Sequence, residues 1–564
     1  MPEGAPERRF ATWLLGLSIF ATGFCGLVSE FILSTVSTYI LGNSIEQFSV
    51  IIALMMAMMG LAGALQRFFP DRRLVEQFIA VETLLALLGG FAPIAIYAGY
   101  GFLDSHFLLV LYFFAAAIGF LIGFELPLVL RINAALGRKL PTNLAVILGL
   151  DYVGGFVGAL VWTRFLLREL PLTEISFLIA GVNFAIASVT FLYFTWPRES
   201  GSRGVRALGW LATAVVGGCL LLGYTSNRDW SLQLEQRLYD DRVVFSETTR
   251  YQRIVLTHDP VRDDHRLFLN GNLQLSSLDE AIYHEQLVHP AMTLATRRDR
   301  VLVLGGGDGL AVREVLVHPD VREVTLVDLD PRMTQLATEH PILVRLNRGA
   351  LRDARVRTVL PRGVEGGLRR PVWMETDRLD PAGEPVVEEV ARVEVVNVDA
   401  DRFLDGIPGL WDVVLIDFPD PNSAELAKLY SREFYRKLRR VLAPGAVVAL
   451  QATSPYHSRE AFLCILRTLE SAGFAVVPYQ DDVPSFGSWG FLLATTGVET
   501  RDALRARAER VAFFPEETRY LTPDVFHSAL VFGKGELDGE SDEVNTLMRP
   551  VLLGLYLHES WLSD

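Results

Sequence analysis

Between Phe10 and about Ser226 the chain is a succession of long apolar runs, and beyond that point polar and apolar residues alternate as in a water-soluble α/β protein. Seven runs reach the roughly 20 residues that a helix needs to cross a bilayer core of about 30 Å. They cover about 11 to 40, 48 to 68, 76 to 98, 107 to 130, 144 to 167, 174 to 196 and 206 to 225, and predict a multi-pass helical membrane domain over 1–226. The first run is too long for a cleaved signal peptide and leads directly into further spans. Gly23 and Gly26 interrupt it, so a kink is expected there.

Over 227–299 the period shortens to that of strands. VVFSETT, YQRIVLTH and HRLFLNGNLQLSS predict a small antiparallel sheet with a hairpin turn at Asn270-Gly271. Over 300–500, strands alternate with helices from Val301 onward, continuing through VEVVNVDA, WDVVLIDF and AVVALQAT. That alternation predicts a doubly wound parallel sheet with ligands at the carboxyl ends of its strands. The Pro-, Gly- and charge-rich stretch 361–392 reads as a surface insertion, expected to be a mobile loop. A C-terminal extension, 501–564, includes a predicted amphipathic helix over 544–561.

Charge adds orientation. Net charge over the 564 residues is −14, and no nucleic-acid partner is expected. Arg8, Arg9, Arg67, Arg72, Arg73, Arg131, Arg138, Lys139, Arg198, Arg203 and Arg206 fall on the amino-terminal side of the runs, against Arg164 and Arg168 opposite. The positive-inside rule then places the amino terminus in the cytoplasm. Seven spans would put the soluble half outside, and the sequence leaves that side open. Glu30, Glu82, Glu125 and Asp151 lie within the runs, where ionisable residues face a bundle interior or a cavity. Each reads either as part of a cation path or as a helix-to-helix contact, and Pro127 beside Glu125 suggests a broken helix. Gly154 and Gly158 have the spacing of a close helix contact. Cys25, Cys219 and Cys464 indicate neither a disulfide framework nor a zinc site.

The densest chemistry lies in VLVLGGGDGLAVREVLVHPDVREVTLVDLD, from Val301 to Asp330. Gly305, Gly306, Gly307 and Gly309 permit a sharp turn and close approach to a ligand. Asp328 ends the second strand about 20 residues on, where a carboxylate accepts both hydroxyls of a ribose. Asp308 puts a negative charge inside the turn, which disfavours a dinucleotide phosphate and favours a cationic ligand such as a sulfonium nucleoside. Asp399 in VDAD, and Asp417 with Asp420 in IDFPDP, add carboxylates at further strand ends. Five on one edge would form an anionic pocket.

Over roughly Tyr251 to Thr496 these motifs resemble the polyamine aminopropyltransferases, spermidine synthases above all. The matching stretches are Tyr251-Gln252, the hairpin ending at Gln274, DEAIYHE from Asp279 to Glu285, GGGDG, VDLD, VDAD and DFPDP. An apolar multi-pass half ahead of this domain also resembles membrane-integrated bacterial members. The resemblance implies a Rossmann-like, methyltransferase-type fold, a homo-oligomer (dimer), and decarboxylated S-adenosylmethionine as cosubstrate with no permanently bound cofactor and no metal. It implies that Gln252, the 305–307 glycines and Asp328 hold the nucleoside, that Asp399 and Ala400 meet the adenine edge, and that Asp308 binds the aminopropyl ammonium. Asp417 is the implied base, with Asp420, Tyr283, His284 and Gln274 around the diamine.

The sequence departs from the family's pattern at three places. Phe418 and Pro419 fill a loop that often bears Ser or Thr, which is expected to dry the acceptor pocket. Phe486 stands in VPSFGSWG where a tyrosine is common, and Asn422, Ser423 and Ala424 alter a Pro-rich stretch. The implied reaction is aminopropyl transfer to putrescine, giving spermidine and 5′-methylthioadenosine. The alternatives are an S-adenosylmethionine-dependent transferase acting on another amine, and a non-catalytic polyamine-binding or transport protein of the membrane.

Overall fold

The computed structural model describes residues 5–41, 44–71, 73–103, 106–135, 140–195, 203–352, 356–359, 372–379, 385–390, 392–406, 409–497 and 499–559. The chain divides into two compact units, Met1–Val243 and Val244–Asp564.

The first unit is helical: α1 (Ala5–Leu41), α2 (Ser44–Leu65), α3 (Leu74–Leu103), α4 (Phe107–Ala135), α5 (Leu140–Val161), α6 (Leu172–Thr195) and α7 (Arg203–Gln236). Six segments among the described residues are long and apolar enough to cross a membrane: Thr12–Ile40, Gln47–Phe68, Leu74–Leu103, Phe107–Ala135, Asn143–Leu166 and Leu172–Phe194. The seventh predicted run, 206–225, lies within α7; its side chains up to 209 fall outside the described residues, and α7 is not among the six. α7 also runs straight through position 226.

The glycines of α1 serve packing. α1 is helical from end to end, and a Cβ on Gly23 would stand 2.2 Å from the Asp151 carbonyl oxygen of α5. Gly154 and Gly158 return the contact: their Cβ atoms would fall 2.0 Å from the Phe20 carbonyl oxygen and 2.9 Å from that of Phe24. Gly119 and Gly123 of α4 likewise meet the backbone of Met55 and Met59 on α2. Such close backbone approach is what small residues permit between helices. α4 continues through Pro127, so the expected break beside Glu125 does not occur.

The second unit begins with a sheet of β1 (Arg242–Thr248), β2 (Arg253–Asp259), β3 (Asp264–Leu269) and β4 (Asn272–Ser276), in that spatial order. Asn270 and Gly271 form the predicted turn, both at positive φ (51° and 82°). Helix α8 (Glu280–Leu294) follows. The main strands are β5 (Arg300–Gly305), β6 (Glu323–Asp328), β7 (Val356–Val359), β8 (Val372–Leu379), β9 (Pro385–Val390), β10 (Arg392–Asn397), β11 (Trp411–Asp417), β12 (Leu442–Gln451), β13 (Ala475–Val483) and β14 (Gly487–Thr495).

Eight of these form one sheet in the order β13-β14-β12-β11-β5-β6-β10-β7. It is mixed rather than wholly parallel, because β14 runs antiparallel to both β12 and β13. Its central strands are apolar on both faces; Val301 to Leu304 and Val413 to Leu415 are fully buried between two hydrophobic clusters. The insertion contains an antiparallel hairpin, β8 with β9, where a loop was expected; 361–371, 380–384 and 391 fall outside the described residues. In the C-terminal extension the helices among the described residues are Arg501–Ala508, Pro523–Ala529 and Val551–Glu559, the last beginning at 551 where 544 was predicted; 560–564 fall outside the described residues.

Candidate active site

Parallel register brings the acidic residues to one edge. Asp417 pairs with Gly305 across β11 and β5, and Asn397 pairs with Asp328 across β10 and β6, so the glycine turn and three strand ends share one level. The turn has no room for side chains. A Cβ on Gly306 would stand 2.9 Å from the Asp417 carboxylate, and one on Gly307 would stand 2.6 Å from that of Asp328. Gly305 and Gly306 also adopt φ of +82° and +65°, which L side chains rarely do.

Asp328 accepts from the N–H groups of Gly307 (3.1 Å) and Asp330 (2.8 Å). Burial pushes its carboxyl up to about 7, the neighbouring charges of Asp330 and Asp308 adding to the rise against those two donors. Asp308 caps the turn by accepting from Leu310 N–H (2.8 Å), and its charge is felt by Asp328, Asp417 and His284 alike. Gln252 reaches this edge indirectly: its amide donates to Asp330 (3.0 Å), which also accepts from Thr249 Oγ1 (2.7 Å). Asp399 opens the helix Ala400–Gly406, accepts from Arg402 N–H (3.0 Å) and pairs with Lys428 (3.1 Å). Ala400 is buried at the start of that helix.

Asp417 and Asp420 hold the other side. The Tyr283 hydroxyl donates to Asp417 at 2.6 Å. Asp420 accepts from the Tyr556 hydroxyl (2.9 Å) and, more weakly, from Gln451 Nε2 and Thr453 Oγ1 (both 3.4 Å). Burial pushes both carboxyls up to about 6; the His284 charge and the Tyr283 hydroxyl hold Asp417 back, and the three donors hold Asp420 back. Burial pulls His284 down, but its contact with Glu280 and the charges of Glu280, Asp308 and Asp417 carry it up to about 9, so it is cationic at neutral pH. Its Nδ1 lies 2.7 Å from the Glu280 carbonyl oxygen and 3.3 Å from the Glu280 carboxylate.

Glu280 is itself held by a two-pronged pair with Arg313 (3.0 and 2.7 Å) and by Arg519 (2.7 Å). Glu285, one turn on, accepts from the N–H groups of Arg519, Tyr520 and Leu521 at 2.8 to 2.9 Å, which clamps the C-terminal extension onto α8. Removing one partner from a buried ion pair of this kind costs about 3–5 kcal/mol. The clamp therefore fixes where α8 presents Tyr283 and His284.

Two expectations change. Gln274 donates to the carbonyl oxygens of Asn272 and Leu273 in its own hairpin (both 3.2 Å), and these described bonds do not bring it to Asp417 or Asp420. Phe418 does not dry the pocket, because its buried ring packs into the core beside Phe434 and Tyr430. Phe486 does lie against Tyr283, with ring centroids 6.1 Å apart. Sequence reasoning missed Asp330, Glu280 and Tyr556. Glu280 could have been found from its i, i+4 spacing to His284 on one helix; Tyr556 carries no local signal.

The hairpin end of β2 and β3 also brings His258, Asp263 and His265 within 4.8 Å of one another, a set that spacing did not suggest. Arg345 Nη2 lies 3.3 and 3.4 Å from the two ring nitrogens of His265. That fixed positive charge opposes a bound cation, and the cluster reads as a His258–Asp263 hydrogen bond (3.0 Å).

The chain matches the family model described as spermine/spermidine synthase domain over residues 280–366 and 385–502. It is similar along 99% of its length to polyamine aminopropyltransferase 1 of Streptomyces coelicolor, with 38% identity and 97% of that protein covered. This chain belongs to the polyamine aminopropyltransferase family. Another relative of the family, the polyamine aminopropyltransferase of Oceanobacillus iheyensis, is 33% identical over 98% of each chain. Among solved structures, spermidine synthase from Thermotoga maritima is 24% identical with a TM-score of 0.41, over 52% of this chain and 87% of that one. As an aminopropyltransferase the chain is an enzyme, and the similarity to full-length relatives takes in the helical unit as well as the α/β unit.

Proposed function

We propose that this aminopropyltransferase moves the aminopropyl group of decarboxylated S-adenosylmethionine to putrescine, releasing spermidine and 5′-methylthioadenosine. The observation that carries this reading is the glycine floor: Gly306 lies against Asp417 and Gly307 against Asp328, so only backbone separates a carboxylate suited to a ribose from one suited to an amine. Asp328 receives the ribose hydroxyls, Asp399 and Ala400 the adenine edge, and Gln252 supports the nucleoside side through Asp330. Asp308 attracts the aminopropyl ammonium and repels the α-carboxylate that an undecarboxylated donor would carry.

Asp417 is the base. An amine attacks carbon only after losing a proton, and a buried carboxyl titrating at about 6 takes that proton near neutral pH. The new N–C bond forms as the C–S bond breaks, the electron pair stays on sulfur, and the sulfonium leaves as a neutral thioether. Tyr283 orients Asp417, and cationic His284 offsets part of the negative charge that Asp308 and Asp417 share. Asp420 receives the distal amine. Purified protein supplied with the decarboxylated donor and putrescine, cadaverine or spermidine in turn is expected to form methylthioadenosine and the aminopropylated amine in equal amounts, fastest with putrescine, whose product is spermidine. Preference for another amine would overturn the acceptor; methyl transfer from S-adenosylmethionine would overturn the donor.

The helical unit is proposed to be integrated in the cell membrane with its amino terminus in the cytoplasm. Large apolar side chains on its exterior support this: Phe156 is 70% exposed, Leu109 68% and Leu221 65%. Six spans return the chain to its starting side, and a seventh through α7 would place the α/β unit opposite. Reporter fusions at Arg9 and after Asp564 decide between them, and an external signal at Arg9 would refute the orientation. A homodimer is proposed from the family resemblance, to be checked by light scattering of the purified protein.

A further inference from the structure

The two carboxylates of the DFPDP turn are served by hydroxyls from distant parts of the chain. Tyr283 of α8 donates to Asp417, and Tyr556 of the helix Val551–Glu559 donates to Asp420. Tyr556 lies outside the stretch that the family model matches, which ends at 502. Its place is nonetheless built. Leu552, one turn earlier on the same helix face, is fully buried in the core that also receives Phe418 and Tyr430.

The approach to that helix is tied down as well. The Asn545 amide donates to the carbonyl oxygens of Ala427 (2.8 Å) and Tyr430 (3.2 Å), and its N–H donates to Thr468 Oγ1 (2.9 Å). Leu547 N–H donates to Glu433 (3.0 Å). Burial, with the Asp420 charge beside it, pushes the Tyr556 hydroxyl well above its ordinary value, so it remains a donor throughout the working pH range. Nearby, Phe486 packs on Tyr283 without bringing a hydroxyl of its own.

We infer that Tyr556 is a positioning and specificity-determining residue of the acceptor end. Its proton fixes one oxygen of Asp420 and leaves the other, which has only the weak Gln451 contact (3.4 Å), for the distal ammonium of the acceptor. Through Asp420 it selects amines long enough to place a second nitrogen there. This rests on the reading that Asp420 receives the distal amine.

The test uses the full-length protein with Tyr556→Phe, Asp420→Asn and the double variant, measuring kcat and KM for each substrate and the pH profile. Tyr556→Phe keeps the ring that packs beside Leu552, and an unchanged thermal transition confirms the fold. KM for putrescine is expected to rise roughly tenfold, the scale of one hydrogen bond to a charged group, with kcat within about threefold and KM for the nucleoside donor unchanged. Loss of the donor raises the Asp420 carboxyl, so the acid limb of kcat/KM moves to higher pH. A monoamine of the same carbon length, lacking the distal nitrogen, is expected to be used equally by wild type and Tyr556→Phe. In the double variant the tyrosine change adds little to that of Asp420→Asn. An unchanged acceptor KM and acid limb in Tyr556→Phe, with Asp420→Asn impaired, would overturn the role of Tyr556 alone. An unimpaired Asp420→Asn would instead overturn the reading of Asp420, and equal loss for donor and acceptor would mark Tyr556 as merely structural.

Discussion

Both units bury carboxylates, and they treat them in opposite ways. In the α/β unit Asp417 and Asp420 each accept a tyrosine hydroxyl, and Glu285 accepts three backbone N–H groups. In the helical unit Glu82 and Glu125 are fully buried, yet none of their four oxygens has a hydrogen-bond partner among the described residues. Thr22 lies beside both, but its hydroxyl is turned to the Ser18 carbonyl oxygen at 3.0 Å. An uncompensated buried charge costs several kcal/mol. Burial alone therefore does not mark a reacting site.

The sharpest way to break this contrast is Asp417→Asn, which is expected to lower turnover by roughly 10² or more while donor binding persists. Near-normal turnover would leave Asp420 as the base. Next in size is Asp308→Asn: calorimetry is expected to show affinity for the decarboxylated donor falling about tenfold, with methylthioadenosine little affected. Equal losses would remove Asp308 from the aminopropyl end.

A smaller effect is expected in the pH profile. Asp417 and Asp420 must be carboxylates and titrate at about 6, so kcat/KM of the wild type is expected to fall as pH drops through that value. Glu280→Gln withdraws the partner that holds His284 cationic; with that charge weakened Asp417 rises, and the acid limb moves up in pH. An unmoved limb would disconnect His284 from the base. Smallest of all, Glu82→Gln and Glu125→Gln are expected to change transfer by the detergent-solubilised enzyme less than about twofold, because an amide is cheaper to bury than a charge. A loss comparable to that of Asp420→Asn would erase the distinction between the units.

What was legible in the sequence was local. The glycine turn, Asp328 and Asp417 could be read because strand, turn and helix follow one another within a few residues and parallel register does the rest. The hairpin at Asn270-Gly271 was legible for the same reason. The Asp420 partner could not be read, since Tyr556 arrives from 136 positions away. Phe418 was misjudged because strand-end alternation does not say which residue of a DFPDP turn faces the core. The antiparallel β14 escaped because its apolar run looks the same in either direction. In the helical unit, apolar runs gave the helices, but not the polar end of α7 or the glycine contacts that set which helices touch.

The order of synthesis gives the position of Tyr556 a consequence of its own. A ribosome adding about 5–20 residues per second makes Tyr283 and the glycine turn long before it reaches Tyr556, which follows Tyr283 by about 270 residues and so by roughly 14 to 55 s. A nascent chain passes through a stage in which the nucleoside half has been made but the acceptor half still lacks its second hydroxyl. Chains cut short by nonsense errors or proteolysis before 556 would lack the hydroxyl that serves Asp420. Intactness of the carboxy-terminal helix thus sets how firmly Asp420 is held, and a chain ending before 556 is expected to show at least the rise in acceptor KM of Tyr556→Phe.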